Sequence, residues 1–330
     1  MRSYRMADYT GIQDLVPSES EIPVPSGGEV RVQVRASSLN PRDLSIINGR
    51  YPISAPPGRI PLSDGAGVVD FVGPGVSRFK VGDRVVNLYL PTWFGGPLRK
   101  VGDQYGTQRD GWLTEFIVVQ EESLLLIPDH LSFEEAATLP CAAVTAWSAV
   151  KGIGAGDTLL VQGSGSVSLF AMQFAGAAGA RVIATTSSPE KAAMLKALGA
   201  SDVIDYRSTP SWGATARALT DGGADRIVEV GGAGTIAQSI AAISYGGEIA
   251  LVGQLAPSPD GMDVMSFFFS GATLRPVAVG SRADFEEMNR VVAQHGIRPV
   301  IDKTFTFDSA LAAWSYFETE SRFGKVVITH

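Results

Sequence analysis

Between Asp157 and Tyr206 the residues alternate in an order that few folds accept. The apolar run Thr158-Leu-Leu-Val-Gln162 reads as a buried strand, and it stops at the turn Gly163-Ser-Gly165-Ser166-Val167-Ser168. Leu169–Ala175 then has the character of a helix, and Arg181–Thr186 returns as a second apolar strand. Strand, glycine turn, helix and strand together make a unit whose two strands run parallel in one sheet. Glycines let the turn close tightly and let a ligand approach the backbone, while the first N–H groups of the helix lack partners inside it. A turn of this kind cradles the diphosphate of a dinucleotide.

The end of the second strand bears on which dinucleotide. Sites for NAD carry Asp or Glu about 20 residues past the first glycine, where it bonds the ribose 2′-hydroxyl. Here those places read Thr185, Thr186, Ser187 and Ser188, with Lys191 shortly after. Hydroxyls and an ammonium suit a 2′-phosphate that a carboxylate would repel, so the expected cofactor is NADPH. Ser168 stands where the third glycine of the motif is usual, a small enlargement at a helix–strand contact.

A chain of 330 residues predicts two domains, and 45% hydrophobic with 18% charged residues is ordinary for a globular protein with a large core. A formal charge of −7 without basic blocks argues against a nucleic-acid surface. No apolar run approaches the roughly 18 residues of a membrane helix, and Met1–Tyr9 lacks the apolar core of a signal peptide. The single cysteine, Cys141, excludes an intramolecular disulfide, and a cytoplasmic location is expected.

Up to about residue 127 the texture is one of short strands and turns, as in Val30–Arg35, Gly65–Val72 and Val81–Val86. Residues 91–111 read as a loop with Trp93, Phe94 and Tyr105, near Trp112; a cover over a substrate pocket and a surface excursion with buried anchors fit equally. From 128 onward strands and helices alternate: after the cap at Ser132 come strands Asp202–Ile204, Arg226–Val230, Glu248–Val252 and Thr273–Val279, and helices Pro189–Leu198 and Ala233–Ile243. Arg282–His295 and Ser309–Phe317 read as helices, and Lys325–Ile328 as a strand that returns to the first domain. The expected class is α/β: a β-rich domain (1–127 and 281–330) beside a doubly wound parallel-sheet domain (128–280).

Several chemistries lack their residues. Histidines occur only at 130, 295 and 330, and no second cysteine exists, so three zinc ligands are hard to assemble. Neither a Gly-x-Ser-x-Gly elbow nor a Gly-Lys-Ser/Thr phosphate loop is present.

The blocks Ser37–Asp43, Asn48–Tyr51, Asp64–Val69, Gly73–Val85, Ala136–Trp147, Val161–Gly165 and Leu198–Tyr206, in this order, resemble the medium-chain dehydrogenase/reductase superfamily, and within it the zinc-lacking, quinone-oxidoreductase-like branch. The resemblance spans nearly the whole chain and implies a GroES-like catalytic domain with a Rossmann cofactor domain. Zinc-dependent relatives have cysteine where Asn40 stands and histidine where Ser63 stands, and only Cys141 matches a ligand. The resemblance further implies that Asn40 and Tyr51 face nicotinamide and substrate, that Thr145 lies near the nicotinamide, and that Lys191 and Tyr206 hold the 2′-phosphate. Gly253 would end a strand where relatives bind the carboxamide, and Phe268 would cover the nicotinamide or be plain core. Asn40 has a second reading as a turn residue before Pro41, and Ser63 and Asp64 could form a proton relay to Tyr51. Relatives of this type pair through the strand matching Thr273–Val279, where Pro276 interrupts the N–H row; a homodimer is expected.

The activity these features imply is NADPH-dependent reduction of a small electrophilic substrate, a quinone or α,β-unsaturated carbonyl compound. Metal-free interconversion of alcohols and carbonyls is the second reading, and an NADPH-binding protein without turnover is the third.

Overall fold

The computed structural model describes residues 1–256, 261–318 and 322–330. Two compact units divide the chain: Met1–Val144 with Ser281–His330, and Thr145–Gly280. The first runs on to Val144, past the boundary at 127 expected from the change of texture. The reason lies in the segment after the predicted cap. Ser132 and Glu135 form a reciprocal capping box, and the Ala137 carbonyl accepts a hydrogen bond from the buried Ser38 hydroxyl at 2.8 Å.

The first unit opens with the hairpin β1 (Arg2–Met6) and β2 (Leu15–Glu19). Then come β3 (Glu29–Ser38), helix α1 (Pro41–Ile47), β4 (Asp64–Val72), β5 (Arg84–Asn87), β6 (Phe116–Gln120), β7 (Leu124–Leu126) and the short α2 (Phe133–Ala136). A turn of π-helix, Leu139–Ala143, leads into α3 (Val144–Val150), which belongs to the second unit from Thr145 on. In β3 the residues Val30, Val32 and Val34 alternate inward, and the valines and Trp112 form one core.

The second unit adds β8 (Thr158–Gln162), α4 (Ser166–Ala177), β9 (Arg181–Thr186), α5 (Pro189–Ala197), β10 (Asp202–Asp205), α6 (Trp212–Ala218), β11 (Ala224–Glu229), α7 (Ile236–Ala242), β12 (Ile243–Leu251), α8 (Val264–Ser270) and β13 (Thr273–Pro276). Among the described residues its sheet runs β10-β9-β8-β11-β12-β13, every pairing parallel. Leu160, Ile183, Ile204, Ile227 and Ile249, one from each of five neighbouring strands, share its core. This is the doubly wound sheet predicted from the apolar strands.

The chain then returns to the first unit with α9 (Arg282–His295), β14 (Ile301–Thr306), α10 (Ala310–Glu318) and β15 (Lys325–Thr329). β15 pairs antiparallel with β3 and parallel with β14. No helix among the described residues is long and apolar enough to cross a membrane.

Element ends depart from expectation where glycine and proline act. β13 stops at Pro276 instead of Val279, because proline offers no N–H to continue the ladder. α7 starts at Ile236 instead of Ala233, because Gly232–Gly234 forms a 3-10 turn with Gly232 at φ 73°. β12 begins at Ile243, earlier than the expected Glu248.

The glycine of Asp64-Gly65-Ala66 is a packing requirement: a Cβ at Gly65 would sit 2.3 Å from Cε3 of Trp112, which is fully buried. Gly65→Ala should therefore cost about 3 kcal/mol by overpacking, seen as a lower urea midpoint at unchanged slope. An unchanged midpoint would mean that the indole yields freely.

Candidate active site

Sheet register assembles the principal cluster. Val327 lies opposite Ser38, and Leu39 N–H bonds Val326 O at 3.1 Å. Carrying that register on by one pair sets Lys325 opposite Asn40. On the other side of β3, Ser38 is paired with Asp64, the first residue of β4. Five polar residues thus converge in an apolar interior: Ser38, Asn40, Ser63 and Asp64, each at most 2% exposed, and Lys325 at 1%.

The ammonium of Lys325 donates to Leu39 O at 2.9 Å and to Asn40 Oδ1 at 2.8 Å, and lies 3.5 Å from Asp64 Oδ2. Asn40 Nδ2 donates to the same Asp64 oxygen at 2.8 Å and has a longer contact of 3.4 Å with Ser63 Oγ. The Ser63 hydroxyl donates to Asp64 Oδ1 at 2.9 Å. Leu62, next to Ser63, holds the left-handed conformation at φ 74°. Pairing of Pro61 and Leu62 with Leu113 and Trp112 fixes this unusual backbone, which sets the direction of Ser63 and Asp64.

Asn40 also occupies the N-cap position of α1. The capping bond comes from Asp43, whose carboxylate accepts from Asn40 N–H at 2.8 Å. The helix residue before Asp43, Arg42, is buried between two aromatic faces, 5.0 Å from the Tyr51 ring and 5.1 Å from the Tyr89 ring. It donates to Tyr105 O and to Gln104 Oε1, both at 3.0 Å, and Gln104 Oε1 also accepts from the Tyr51 hydroxyl at 3.2 Å. Residues 104–105 are therefore tied to α1 by a guanidinium. Tyr105 and Trp112 pack edge to face in the core, whereas Phe94 is exposed. The aromatic loop is anchored at both halves, since Arg282 and Ala283 N–H donate to Trp93 O and Phe94 O at 2.9 and 3.1 Å.

Burial governs the titration of this cluster, and its charges modify it. Burial pushes the Asp43 carboxyl up to about 6, against the pull of Arg42. Burial also drives the Tyr89 phenol well above its ordinary value, with Arg42 again opposing. The Cys141 thiol is raised by burial and then by Asp64, so it stays protonated.

The second unit has its own site at the carboxyl ends of the parallel strands. Gly163 turns the chain at φ 69°, a conformation that favours glycine. Gly165 is the N-cap of α4 and has no side chain of its own to cap the helix start. It is exposed, and a Cβ there would meet nothing within 4 Å, so space is open beside the free N–H groups of Ser166 and Val167. That space and those donors fit a diphosphate. Behind the turn, the fully buried Glu229 accepts from Gly231 and Gly232 N–H, from the Thr235 and Ser239 hydroxyls and from Gln162 Nε2, all within 2.9 Å. Gln162 Oε1 in turn accepts from Val230 and Gly231 N–H. Two polar strand ends thus set the backbone around the turn, and Gly253 N–H joins them through Glu229 O at 3.3 Å.

At the end of β9, Ser188 caps α5 by accepting from Lys191 N–H at 3.3 Å. Tyr206 N–H bonds Thr186 O at 3.0 Å, placing Tyr206 beside this loop with its side chain 42% exposed. Ser187, Ser188, Lys191 and Tyr206 therefore lie at neighbouring strand ends. One carboxylate escaped the sequence reading: Ser188 Oγ donates to Glu190 Oε2 at 2.5 Å. Thr145 is buried in the first turn of α3. Phe268 is 70% exposed on α8, which removes the reading of it as plain core.

The structure thus brings Asn40, Ser63 and Asp64 into one hydrogen-bonded group and links Tyr51 to it through Gln104, Arg42 and Asp43. Lys325, Arg42, Gln104, Gln162, Glu229 and Glu190 were not picked out from sequence. A polar residue at the end of an apolar strand is the signal that Lys325, Gln162 and Glu229 share.

Comparison with known proteins adds three directions. A family model described as alcohol dehydrogenase GroES-like domain matches residues 26–129, and one described as zinc-binding dehydrogenase matches 166–294. A zinc-type alcohol dehydrogenase-like protein of Schizosaccharomyces pombe is 39% identical over 97% of this chain and 96% of its own length. The 2-methylene-furan-3-one reductase of Solanum lycopersicum is 32% identical over 99% of this chain and 79% of its own. A solved NAD-dependent alcohol dehydrogenase covers 100% of both chains with a TM-score of 0.92 and 33% identity.

The zinc that two of these descriptions imply does not suit the residues present. An amide and a hydroxyl are poor zinc donors, which leaves Cys141 as the one ordinary ligand, and the Lys325 ammonium already sits against Asn40. Among the described residues no three or more of His, Cys, Asp and Glu are grouped to hold a metal ion.

A carboxyl raised from 3.8 to about 6 keeps in the folded state a proton that the unfolded chain releases. Stability from this group is thus present below the unfolded value and lost as pH rises through that window. Asp43→Asn keeps an acceptor for Asn40 N–H, so its thermal midpoint relative to wild type should rise between about pH 4 and 6. A constant difference across that window would show that Asp43 ionises without cost.

Proposed function

Because this chain belongs to the medium-chain dehydrogenase/reductase superfamily, we propose that it is a zinc-independent, NADPH-dependent oxidoreductase reducing quinones or α,β-unsaturated carbonyl compounds. The observation that carries this reading is the donor set of the first unit: a neutral amide at Asn40 and a phenol at Tyr51, ordered by buried charges. Neutral donors are adequate when negative charge spreads into an enolate or quinol, whereas a simple ketone concentrates charge on one oxygen. The kinship with a 2-methylene-furan-3-one reductase supports the same choice, since that name describes a methylene conjugated to a ketone.

When bound, the reduced nicotinamide supplies the hydride. The chain does the rest. Gly163, Gly165, Ser166 and Val167 receive the diphosphate at the start of α4. Ser187, Ser188, Lys191 and Tyr206 receive the 2′-phosphate. Asn40 and Tyr51 hold the substrate oxygen, and Ser63 and Asp64 order the amide. Tyr51 is also the proton donor, its hydroxyl turning from Gln104 to the substrate.

One observation favours a second reading, NAD-linked interconversion of alcohols and carbonyls: Glu190 holds the Ser188 hydroxyl, as a carboxylate hostile to a 2′-phosphate would, and a similar solved protein is an NAD-dependent alcohol dehydrogenase. Absorbance at 340 nm separates the two. Cyclohexenone or a naphthoquinone with NADPH should be turned over, and simple alcohols with NAD+ should not. The reverse pattern selects the second reading, and tight NADPH binding without any turnover selects a cofactor-binding protein. Lys191→Ala should weaken NADPH about tenfold, one charge-assisted bond, and leave NADH unchanged. Glu190→Gln should shift preference toward NADPH. Equal effects on both cofactors would remove these residues from phosphate selection.

The partner we infer is a second copy. Among the described residues β13 ends the sheet with an unpaired edge, and α8 presents Phe268 and Phe269 at 70% and 71% exposed. Sedimentation should give a dimer that Phe269→Asp converts to monomer; a monomeric wild type would contradict this.

A further inference from the structure

We propose that Lys325 and Asp64 are positioning residues that lock the Asn40 carboxamide in one orientation, leaving one of its N–H bonds for a substrate oxygen. The inference rests on the reductive reading for the identity of that oxygen, but the locking itself does not.

Donor and acceptor accounting leads to it. An ammonium has three N–H donors and no acceptor, and an amide has two donors on nitrogen and lone pairs on oxygen. Lys325 is held by Leu39 O at 2.9 Å and Asn40 Oδ1 at 2.8 Å, with Asp64 Oδ2 farther off at 3.5 Å as its ionic partner. With its oxygen held by an ammonium, the Asn40 amide cannot flip without setting NH2 against NH3+. Asp64 then fixes the opposite side by accepting from Nδ2 at 2.8 Å. Asp64 also accepts from Ser63, so the Ser63 proton is spent. The second Asn40 N–H remains, with only the 3.4 Å contact to Ser63 Oγ. Among the described residues of this cluster it is the donor least committed to the protein.

The two charges also suit the task. A carboxylate accepting from the amide and an ammonium at its oxygen polarise the group, and a charge-assisted bond holds geometry better than a neutral one. Each buried charge requires the other, because an isolated one in this interior would be costly. By resemblance, Asn40 and Ser63 stand where zinc-dependent relatives place ligands. A lysine cation that orients a neutral donor is thus this chain's alternative to a metal that polarises oxygen directly. Lys325 acts through Asn40 and does not itself touch substrate.

Two readouts test the claim on the full-length protein. The first is the Asn40 side-chain NH2 resonance pair in 15N-labelled protein, assigned by its loss in Asn40→Asp. Wild type should show two well-separated, slowly exchanging protons, and cyclohexanone should displace one of them. Lys325→Met should average the pair. The second is a double-mutant cycle on kcat with cyclohexenone. Asn40→Ala should lose about 100-fold, the loss typical of one oxyanion donor. Lys325→Met should lose roughly tenfold or more, and the double variant should be no slower than Asn40→Ala alone. KM for NADPH should not move. If Lys325→Met does not fold, Asp64→Asn is read in its place, with the same averaging and the same non-additivity expected. An unaltered Asn40 pair in whichever variant folds, or multiplicative losses in the cycle, would overturn the proposal. An averaged pair in the variant of a wild type that reduces no acceptor would uphold the locking and discard the reductive reading.

Discussion

The structure of the first unit depends on a buried ammonium that has found enough oxygen. Moving an amino cation out of water costs several kcal/mol even after relaxation, and Lys325 recovers this from Leu39 O, Asn40 Oδ1 and Asp64. Those acceptors come from the end of β3 and the start of β4, and the cation from the start of β15. The ion pair therefore ties together strands far apart in sequence. It also forces the register, since a slip of one residue would turn Lys325 to the other face and leave Asp64 unpaired. The same contacts that hold the sheet hold the amide proposed to meet substrate, so folding and function share one group of atoms.

The second unit uses the opposite charge for a similar end. Glu229 is buried at the end of β11, and its partners are backbone N–H groups, hydroxyls and the Gln162 amide. Hydrogen bonds disperse its charge without a cation. What they shape is the backbone at Gly231 and Gly232 and the side chain of Gln162, the residue before the glycine turn. In both units a polar residue at a strand end organises a site, and the apolar body of the strand supplies the layer on which it stands.

How much of this was legible in sequence follows from the range of each interaction. The Thr158–Thr186 unit, the Ser132 cap and the helix Arg282–His295 rest on neighbours within a few residues, and they stand as expected. Asn40, Ser63 and Asp64 were singled out through a resemblance, and the structure adds that they touch. Lys325 looked like the first residue of an ordinary closing strand, because its partners lie 285 and 261 residues away and only register reveals them. Glu190 was missed for a different reason. The expectation concerned residues 185–188, while the helix that Ser188 caps folds Glu190 back onto it. Pro276 ends its strand because the missing N–H outweighs the β-forming residues that follow it. Phe268 could not be placed from its apolar neighbours, since Phe267 faces the core while Phe268 and Phe269 are exposed.

The most direct test is joint neutron and X-ray diffraction of the perdeuterated protein with cofactor and a conjugated ketone. The account predicts three deuterons on Lys325 Nζ, one Asn40 N–D bond directed at Asp64 and the other at the ketone oxygen. A metal ion at the ketone oxygen, or an Asn40 amide turned with its oxygen toward the ketone, would contradict it.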